Sequence, residues 1–315
     1  MRIKLKQSLL TPIPVLIIFI LLAASNKMNV NSLAHKDNIF LALIIMQIVI
    51  FIIPGILYCK IRKKALVASL RFNPMVGPSK IWLSFTAFFV LISGSALIKL
   101  GLYALGYKGT EYSLYQSYIP TTISGFGNVL YIIIAIALMP AITEELVFRG
   151  IVLGEYTSSA CNTFTAVGIT SLLFAMMHMS LPQFPVFLFG GILLAYVTIV
   201  TDSVLCAITL HFLNNCFSLL FETKLLSLVA KTDSIIFIVF LTAVVFLVFL
   251  VFTLQATERI YYLKGIHGDP SPKQKKKRRK REKSDKTNEN LQAWLSPTFL
   301  LCLIAFIIIT LVFKG

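Results

Sequence analysis

Long apolar blocks occupy most of this chain, and they restrict its possible folds more than any other feature. A helix needs about 20 residues to cross the hydrocarbon core of a bilayer. Helices are the expected spanning structure because lipid cannot satisfy open backbone hydrogen bonds. Nine blocks are candidates: residues 9–25, 39–58, 82–104, 127–149, 163–180, 184–201, 203–221, 235–254 and 295–313. We therefore predict an all-α polytopic membrane protein with an eight-span helical core and an additional C-terminal span.

The composition agrees with this class. Hydrophobic residues make up 57% of the chain and charged residues 13%, whereas soluble domains average about 45–50% and 25%. The first block follows three basic residues and could pass for a signal peptide, but so polytopic a chain favours an uncleaved anchor. The five cysteines show no CxxC spacing and lie mostly in or beside apolar blocks, which is typical of packing residues and not of a disulfide framework.

The net charge of +16 is distributed unevenly. The N-terminal segment, the loop after the second block, Arg149 and residues 255–294 hold 22 of the 29 Lys and Arg residues. In a nine-span arrangement all of these lie on one side of the membrane. Cytoplasmic loops carry such an excess of basic residues. We therefore expect a multi-pass protein of the cell membrane, with its N-terminus in the cytoplasm and its C-terminus on the opposite side.

Ionisable groups inside the apolar blocks need a reason, because each costs about 2.5–3.5 kcal/mol at the bilayer centre. Three of the blocks hold most of the ionisable or carboxamide side chains that need such an explanation, namely Glu144, Glu145, Arg149, His178, His211 and Asn215. The four-residue spacing of Glu145 and Arg149 allows these side chains to pair. That pairing leaves Glu144 facing about 100° further round the helix.

Each of these residues also has an ordinary explanation. Glu145 and Arg149 alone suggest a structural ion pair, a membrane histidine or Asn215 can join two helices by a hydrogen bond, and two glutamates can relay protons in a transporter. Their combination in three neighbouring blocks points instead to one catalytic site. Pro140 is expected to kink the fourth block just before the glutamates, and small residues such as Gly191 allow helices to approach closely.

Three motifs occur in order on these blocks. Residues Glu144–Arg149 match EExxxR, Phe174–His178 match FxxxH, and His211–Asn215 match HxxxN. Together they resemble the CPBP family, the CAAX-protease and bacteriocin-processing intramembrane endopeptidases, also called the Abi family, which includes the type II prenyl-protein endopeptidases. The resemblance covers about residues 125–222.

The resemblance implies a role for each motif residue. Glu144, together with His178, would act as general base on a water molecule. His211 and Asn215 would stabilise the oxyanion on the scissile carbonyl, and Glu145 and Arg149 would hold the motif helix in place. No cofactor is implied. The substrate would be a peptide or a lipid-linked protein, and a compact, lysine-rich chain favours bacterial peptide maturation or immunity over CAAX cleavage.

Several alternatives stay open at this point. Glu144, His178 and His211 could form a His₂Glu zinc site, although HExxH is absent and the resemblance favours metal-free catalysis. A catalytically silent scaffold that binds a partner protein and a proton-coupled transporter are also compatible with the residues. A cysteine protease is disfavoured because Cys216 faces a different side of its helix from Asn215.

The apolar blocks, the charge distribution and the resemblance together divide the chain into four parts. Residues 1–120 form N-terminal transmembrane helices, 121–254 the catalytic membrane core, 255–294 a basic cytoplasmic linker predicted to be disordered, and 295–315 a C-terminal transmembrane helix attached as an appendage. The run Lys275–Arg281 is expected to orient the chain and to contact anionic membrane lipids. Nucleic acid is not an expected partner.

The predicted depths of the two histidines disagree. Counted from the cytoplasmic start of each block, His211 lies about 12 Å and His178 about 22 Å into the membrane. A common site therefore requires the fifth helix to tilt or to begin lower than predicted.

Overall fold

A computed structural model describes residues 7–26, 39–63, 71–106, 126–159, 161–231, 235–265 and 288–312. Within these ranges the regular structure is helical and no strand occurs. The predicted all-α polytopic class is therefore confirmed.

Nine apolar helices of the described residues lie at the nine predicted positions. We number them α1 Ile13–Asn26, α2 Phe40–Ile61, α3 Pro78–Ala104, α4 Val129–Ser158, α5 Thr163–Met177, α6 Phe184–Thr201, α7 Val204–Lys231, α8 Ile235–Gly265 and α9 Pro297–Val312. Seven of them are long and apolar enough to cross a membrane, whereas α1 and α5 are shorter.

Helix α4 is interrupted twice by π-helical hydrogen bonding. Two π-helical stretches, Ile133–Leu138 and Leu146–Val152, alternate with α-helical turns along its length. The first ends just before Pro140, which has no N–H to continue an α-helical ladder. In this stretch the Met139 N–H bonds to the Ile134 carbonyl, five residues back. The interruption expected at Pro140 thus takes the form of a widened helical turn, a feature frequent at functional sites.

The C-terminal helix belongs to the main core, so its prediction as an appendage is wrong. Phe299, Cys302 and Phe306 of α9 are buried in the same cluster as Phe19 of α1 and Leu173 of α5. The Thr298 hydroxyl also donates a hydrogen bond to the Leu9 carbonyl. The apolar block was recognised from sequence, but apolarity alone does not distinguish a lipid-facing helix from a packed one.

The predicted disordered linker is helical at both ends. Residues 255–265 continue α8, and Ala256 and Ile260, four residues apart, are buried against Leu83 and Val200. Residues 288–294 are also helical and lead into α9. The polar composition of these stretches obscured the apolar face that lets them pack. The remaining linker residues, 266–287, which include Lys275–Arg281, lie outside the described residues.

Four connecting regions meet at one end of the helical bundle. Arg71, after α2, lies 3.8 Å from the Asp202 carboxylate between α6 and α7, and it donates to the Thr157 hydroxyl at the end of α4. The Asn162 N–H donates to the side chain of Asn290, before α9. These contacts place the even-numbered connections of the predicted topology together at the same end.

Candidate active site

The three sequence motifs meet inside the bundle. Helix α4 carries EExxxR across the start of its second π-helical stretch, α5 ends one residue before His178 of FxxxH, and α7 carries HxxxN. Glu144, Glu145, Arg149 and His211 are buried, whereas His178 and Asn215 are half-buried. The local folding of α5 is fixed at its other end, where the Asn162 side chain caps the helix by accepting from the Thr165 N–H at 2.7 Å.

Glu145 joins two of the motifs through one oxygen. Its Oε1 lies 2.7 Å from Arg149 Nη1 and 2.8 Å from His211 Nδ1. Glu145 and Arg149 are both fully buried, and a buried carboxylate needs charged or hydrogen-bonding partners to offset its desolvation. The ion pair expected from the four-residue spacing is present. Its extension to His211, which links α4 to α7, was not predicted.

Arg149 ties the motif helix to two further helices. Its Nη2 donates to the Gly191 carbonyl of α6 at 3.0 Å, and its Cζ lies 4.4 Å from the centre of the Phe174 ring of α5. A guanidinium over an aromatic face is attracted by the negative charge of the π system. Arg149 thus holds α4, α5 and α6 together around the carboxylates.

His178 is held from two directions. Its Nδ1 lies 3.0 Å from the Phe174 carbonyl, and its ring stacks on Phe187 of α6 with centroids 3.7 Å apart and planes 16° apart. A carbonyl only accepts, so Nδ1 carries the hydrogen in this bond. The neutral ring then has Nε2 as its acceptor, which is the protonation state that a general base requires.

Phe174 lies beside both histidines. Its ring centroid lies 4.9 Å from that of His178 and 5.9 Å from that of His211. The two imidazoles thus border one aromatic ring, as a common site requires. Counting about 1.5 Å per residue separates their depths by about 10 Å, because it assumes straight, parallel helices that begin at the same height.

Glu144 has no comparable partner. It is 6% exposed, and its Oε2 is buried and has no hydrogen bond to any residue that the structure describes. Within the described part of the chain no direct hydrogen bond connects Glu144 and His178, so the predicted pair would act through a molecule placed between them.

Asn215 contacts the backbone of the motif helix. Its Nδ2 donates to the Ala137 carbonyl at 3.3 Å, within the first π-helical stretch of α4. A carboxamide nitrogen carries two hydrogens, so one is left after this bond. The arrangement fixes the Asn215 side chain and leaves a donor for another acceptor.

Comparison with protein families identifies the segment that carries the motifs. The family model described as type II CAAX prenyl endopeptidase Rce1-like matches residues 126–217, which include all three motifs. This segment of the chain is therefore similar to that family. The family resemblance inferred from the motifs is thereby confirmed, and it indicates a protease of the CAAX type at the level of the family. The chain matches no curated protein and no solved structure.

The zinc alternative has no ready ligand set in the described part of the chain. Among the described residues no three His, Cys, Asp or Glu side chains are grouped so that they could hold a metal ion. The Nδ1 atoms of His178 and His211 are engaged by a carbonyl and a carboxylate, which leaves Nε2 of each ring toward the site. Metal-free catalysis stays a prediction.

Several contacts of the candidate site could not be predicted from the sequence. Phe187 and Gly191 lie in α6, which carries no family motif and consists almost entirely of apolar residues. An aromatic ring or a glycine in such a helix gives no signal of its own. Gln47 of α2 lies 3.0 Å from the Thr143 hydroxyl, next to Glu144. An uncharged amide in an apolar block is a usable signal, but Gln47 lies in a block without charged residues and outside the three motifs.

Proposed function

We propose that this chain is an intramembrane endopeptidase in which Glu144 activates a water molecule for attack on a peptide carbonyl. The observation that supports this most strongly is the meeting of the three motifs around Glu145 and Phe174, inside a segment that matches a protease family. Glu144 has an oxygen without a partner among the described residues. A carboxylate in this state can accept the proton that the attacking water loses.

The two histidines and Asn215 would orient the water and stabilise the oxyanion. His178 Nε2 is the acceptor of the tautomer fixed by Phe174, so it can orient the water or share its proton. A protonated His211 would donate from Nε2 to the developing oxyanion while its Nδ1–H stays bound to Glu145. The second Nδ2 hydrogen of Asn215 would add another donor. Such donors are worth about 2.7–4 kcal/mol each in comparable sites.

The proton taken from water then passes to the leaving amine. Attack by the hydroxide forms the new C–O bond, collapse of the tetrahedral intermediate breaks the C–N bond, and the amine leaves after accepting the proton from Glu144 or His178. No covalent enzyme intermediate is required. Hydrolysis of one peptide bond therefore consumes one water and regenerates both residues.

The proposed substrates are membrane-associated peptides. The family description favours cleavage near the C-terminus of a lipid-linked protein of the CAAX type, and maturation of a secreted or bacteriocin-like peptide uses the same chemistry. Three probes separate these classes: a farnesylated CAAX peptide, its unprenylated form, and an apolar leader peptide, each carrying a quenched fluorophore. Reconstituted full-length protein is expected to cleave at least one of them.

The deciding test compares single variants on the probe that is cleaved fastest. Glu144→Gln, His178→Ala and His211→Ala are each expected to lower kcat by about 10²- to 10⁴-fold. Replacement of the basic residues in Lys275–Arg281 by Gln serves as the matched control and should leave kcat within about twofold, although it is expected to weaken binding to anionic lipids. Cleavage of none of the probes, or full activity in Glu144→Gln, would refute the proposal and favour a scaffold or a transporter.

A further inference from the structure

Gln47 is a polar side chain from outside the family-matched segment that reaches the motif helix. It lies in α2, immediately before the π-helical stretch Ile48–Ile52, and its Oε1 lies 3.0 Å from Thr143 Oγ1. The side chain is half-buried. An uncharged amide within an apolar helix still has to satisfy several hydrogen-bonding groups that lipid cannot.

The Thr143 hydroxyl cannot satisfy Gln47 completely. The same hydroxyl oxygen lies 2.9 Å from the Met139 carbonyl, one turn back, and this is the bond that threonine commonly makes in helices. A hydroxyl has one hydrogen to donate. If it is given to Met139, the Gln47 amide turns so that its nitrogen donates to the hydroxyl. In either orientation at least one N–H of Gln47 has no partner among the described residues.

The position of Gln47 relative to Glu144 follows from helix geometry. Residues 139–145 are α-helical, so Thr143 and Glu145 project about 100° to either side of Glu144. Thr143 contacts Gln47 of α2, and Glu145 contacts His211 of α7. Glu144 therefore points between α2 and α7, with a carboxamide on one flank and the proposed oxyanion donors on the other.

We infer that Gln47 binds the backbone of the substrate peptide on the α2 side of Glu144. This inference rests on the proposed function. A carboxamide presents an N–H donor and a carbonyl acceptor side by side, and an extended peptide offers the complementary pair in each of its amide groups. Such a contact would hold the peptide backbone next to Glu144 and would not depend on the side chains of the peptide. Gln47 would therefore act on substrate binding and not on the chemical step.

Two variants remove the Gln47–Thr143 contact from opposite sides. Gln47→Leu removes both the contact and the free amide, whereas Thr143→Val removes the contact and keeps the amide. If Gln47 binds substrate, Gln47→Leu raises KM about five- to tenfold with kcat within about twofold, the effect of one or two hydrogen bonds. Thr143→Val should change KM by less than about twofold. Equal effects of the two variants would show that Gln47 only anchors α2 to α4.

A binding measurement keeps this test independent of turnover. In the Glu144→Gln background, the fluorescent farnesylated CAAX peptide and the leader peptide are titrated against protein with and without Gln47→Leu. The peptide that binds more tightly is expected to lose about five- to tenfold in affinity. Unchanged affinity would overturn the inference even if Glu144 proves essential for cleavage, whereas retained cleavage by Glu144→Gln would overturn the proposed function alone.

Discussion

Two adjacent glutamates of α4 have opposite surroundings although both are buried. Glu145 contacts Arg149 and His211 through Oε1, although its Oε2 has no partner in the described part of the chain. Glu144 makes no comparable ion pair among the described residues, and its Oε2 is also without a partner there. A buried charge without hydrogen bonds lowers stability, and a paired one leaves an orphaned partner when it is removed. Glu145 therefore supports the structure, while the cost of Glu144 is consistent with a function that needs a free carboxylate.

This difference predicts opposite stability changes for two isosteric variants. Glu145→Gln leaves the buried Arg149 without a counter-charge and should lower the free energy of unfolding by about 3–5 kcal/mol, with loss of activity. Glu144→Gln should abolish activity and leave the thermal midpoint unchanged or raised, because a neutral amide costs less to bury. Thermal unfolding of both proteins in detergent measures the contrast. A large loss of stability in Glu144→Gln would place Glu144 in the supporting network.

The stacking of His178 on Phe187 predicts a positioning role for this phenylalanine. Phe187→Leu keeps an apolar side chain but removes the flat ring, so His178 loses orientation and kcat should fall about tenfold, which corresponds to the energy of an aromatic contact. Phe187→Tyr keeps the ring and should restore most of kcat. Phe184→Leu, one turn earlier on α6, is the matched control, because Phe184 contacts Phe306 and not His178. Equal losses in the two leucine variants would indicate packing alone.

At the scale of residues, the sequence identified the side chains whose burial in a membrane costs free energy. Charged residues in apolar blocks identified Glu144, Glu145, Arg149 and His211 because a membrane charge demands a reason. The same argument could not find Phe187, whose ring is ordinary in an apolar helix and gains its role only from the contact with His178. Nor could it find the bond between Glu145 and His211, which joins residues 66 positions apart in the chain.

At the scale of helices, α6 positions the site through its close approach to α5. A Cβ added at Gly191 would lie 3.1 Å from Ser171 Cβ and 3.2 Å from the Ser171 backbone. The Gly191 carbonyl also accepts the hydrogen bond of Arg149. The absence of a side chain therefore lets α6 come near enough for its backbone to bind the guanidinium. The expected role of Gly191 in close helix packing agrees with this contact.

Two neighbouring glycines make this dependence testable. Gly191→Ala forces α5 and α6 apart and should lower stability by about 1–3 kcal/mol, as overpacking does, and activity should fall because Arg149 loses its acceptor. Gly190→Ala is the matched control. Its added Cβ would lie 3.7 Å from Leu91, an ordinary contact, and alanine favours a helix over glycine by up to about 1 kcal/mol. Equal tolerance of the two substitutions would show that the interface can relax.

Helix boundaries were predictable only approximately. The spans were found because apolarity marks what lipid accepts, but α4 continues to Ser158 and α8 to Gly265, beyond their predicted ends. Buried polar residues explain the first extension, since Glu155 accepts a hydrogen bond from Tyr58 of α2 at 3.2 Å. A hydropathy profile ends the span at such a residue, because it takes no account of a hydrogen-bond partner on another helix.

At the scale of the whole molecule, the connections define two ends of the bundle. Arg71, Thr157 and Asp202 meet at one end, together with the contact between Asn162 and Asn290. The predicted topology assigns these same connections, rich in Lys and Arg, to one side of the membrane. The contacts agree with that grouping. We propose that this end faces the cytoplasm, on the basis of the basic excess alone.

The two ends of α3 offer a direct test of this orientation. Val76 lies just before the helix and is 74% exposed, and Leu105 lies just after it and is 76% exposed. Each is replaced by cysteine in a Cys216→Ser background, because the other four native cysteines are buried. In intact cells a membrane-impermeant maleimide should label Leu105→Cys and leave Val76→Cys unlabelled. After the membranes are broken both should react, since both side chains are accessible to water. Labelling of Val76→Cys alone in intact cells would reverse the orientation, and it would place the basic end, with Arg71 and the Lys275–Arg281 run, outside the cell.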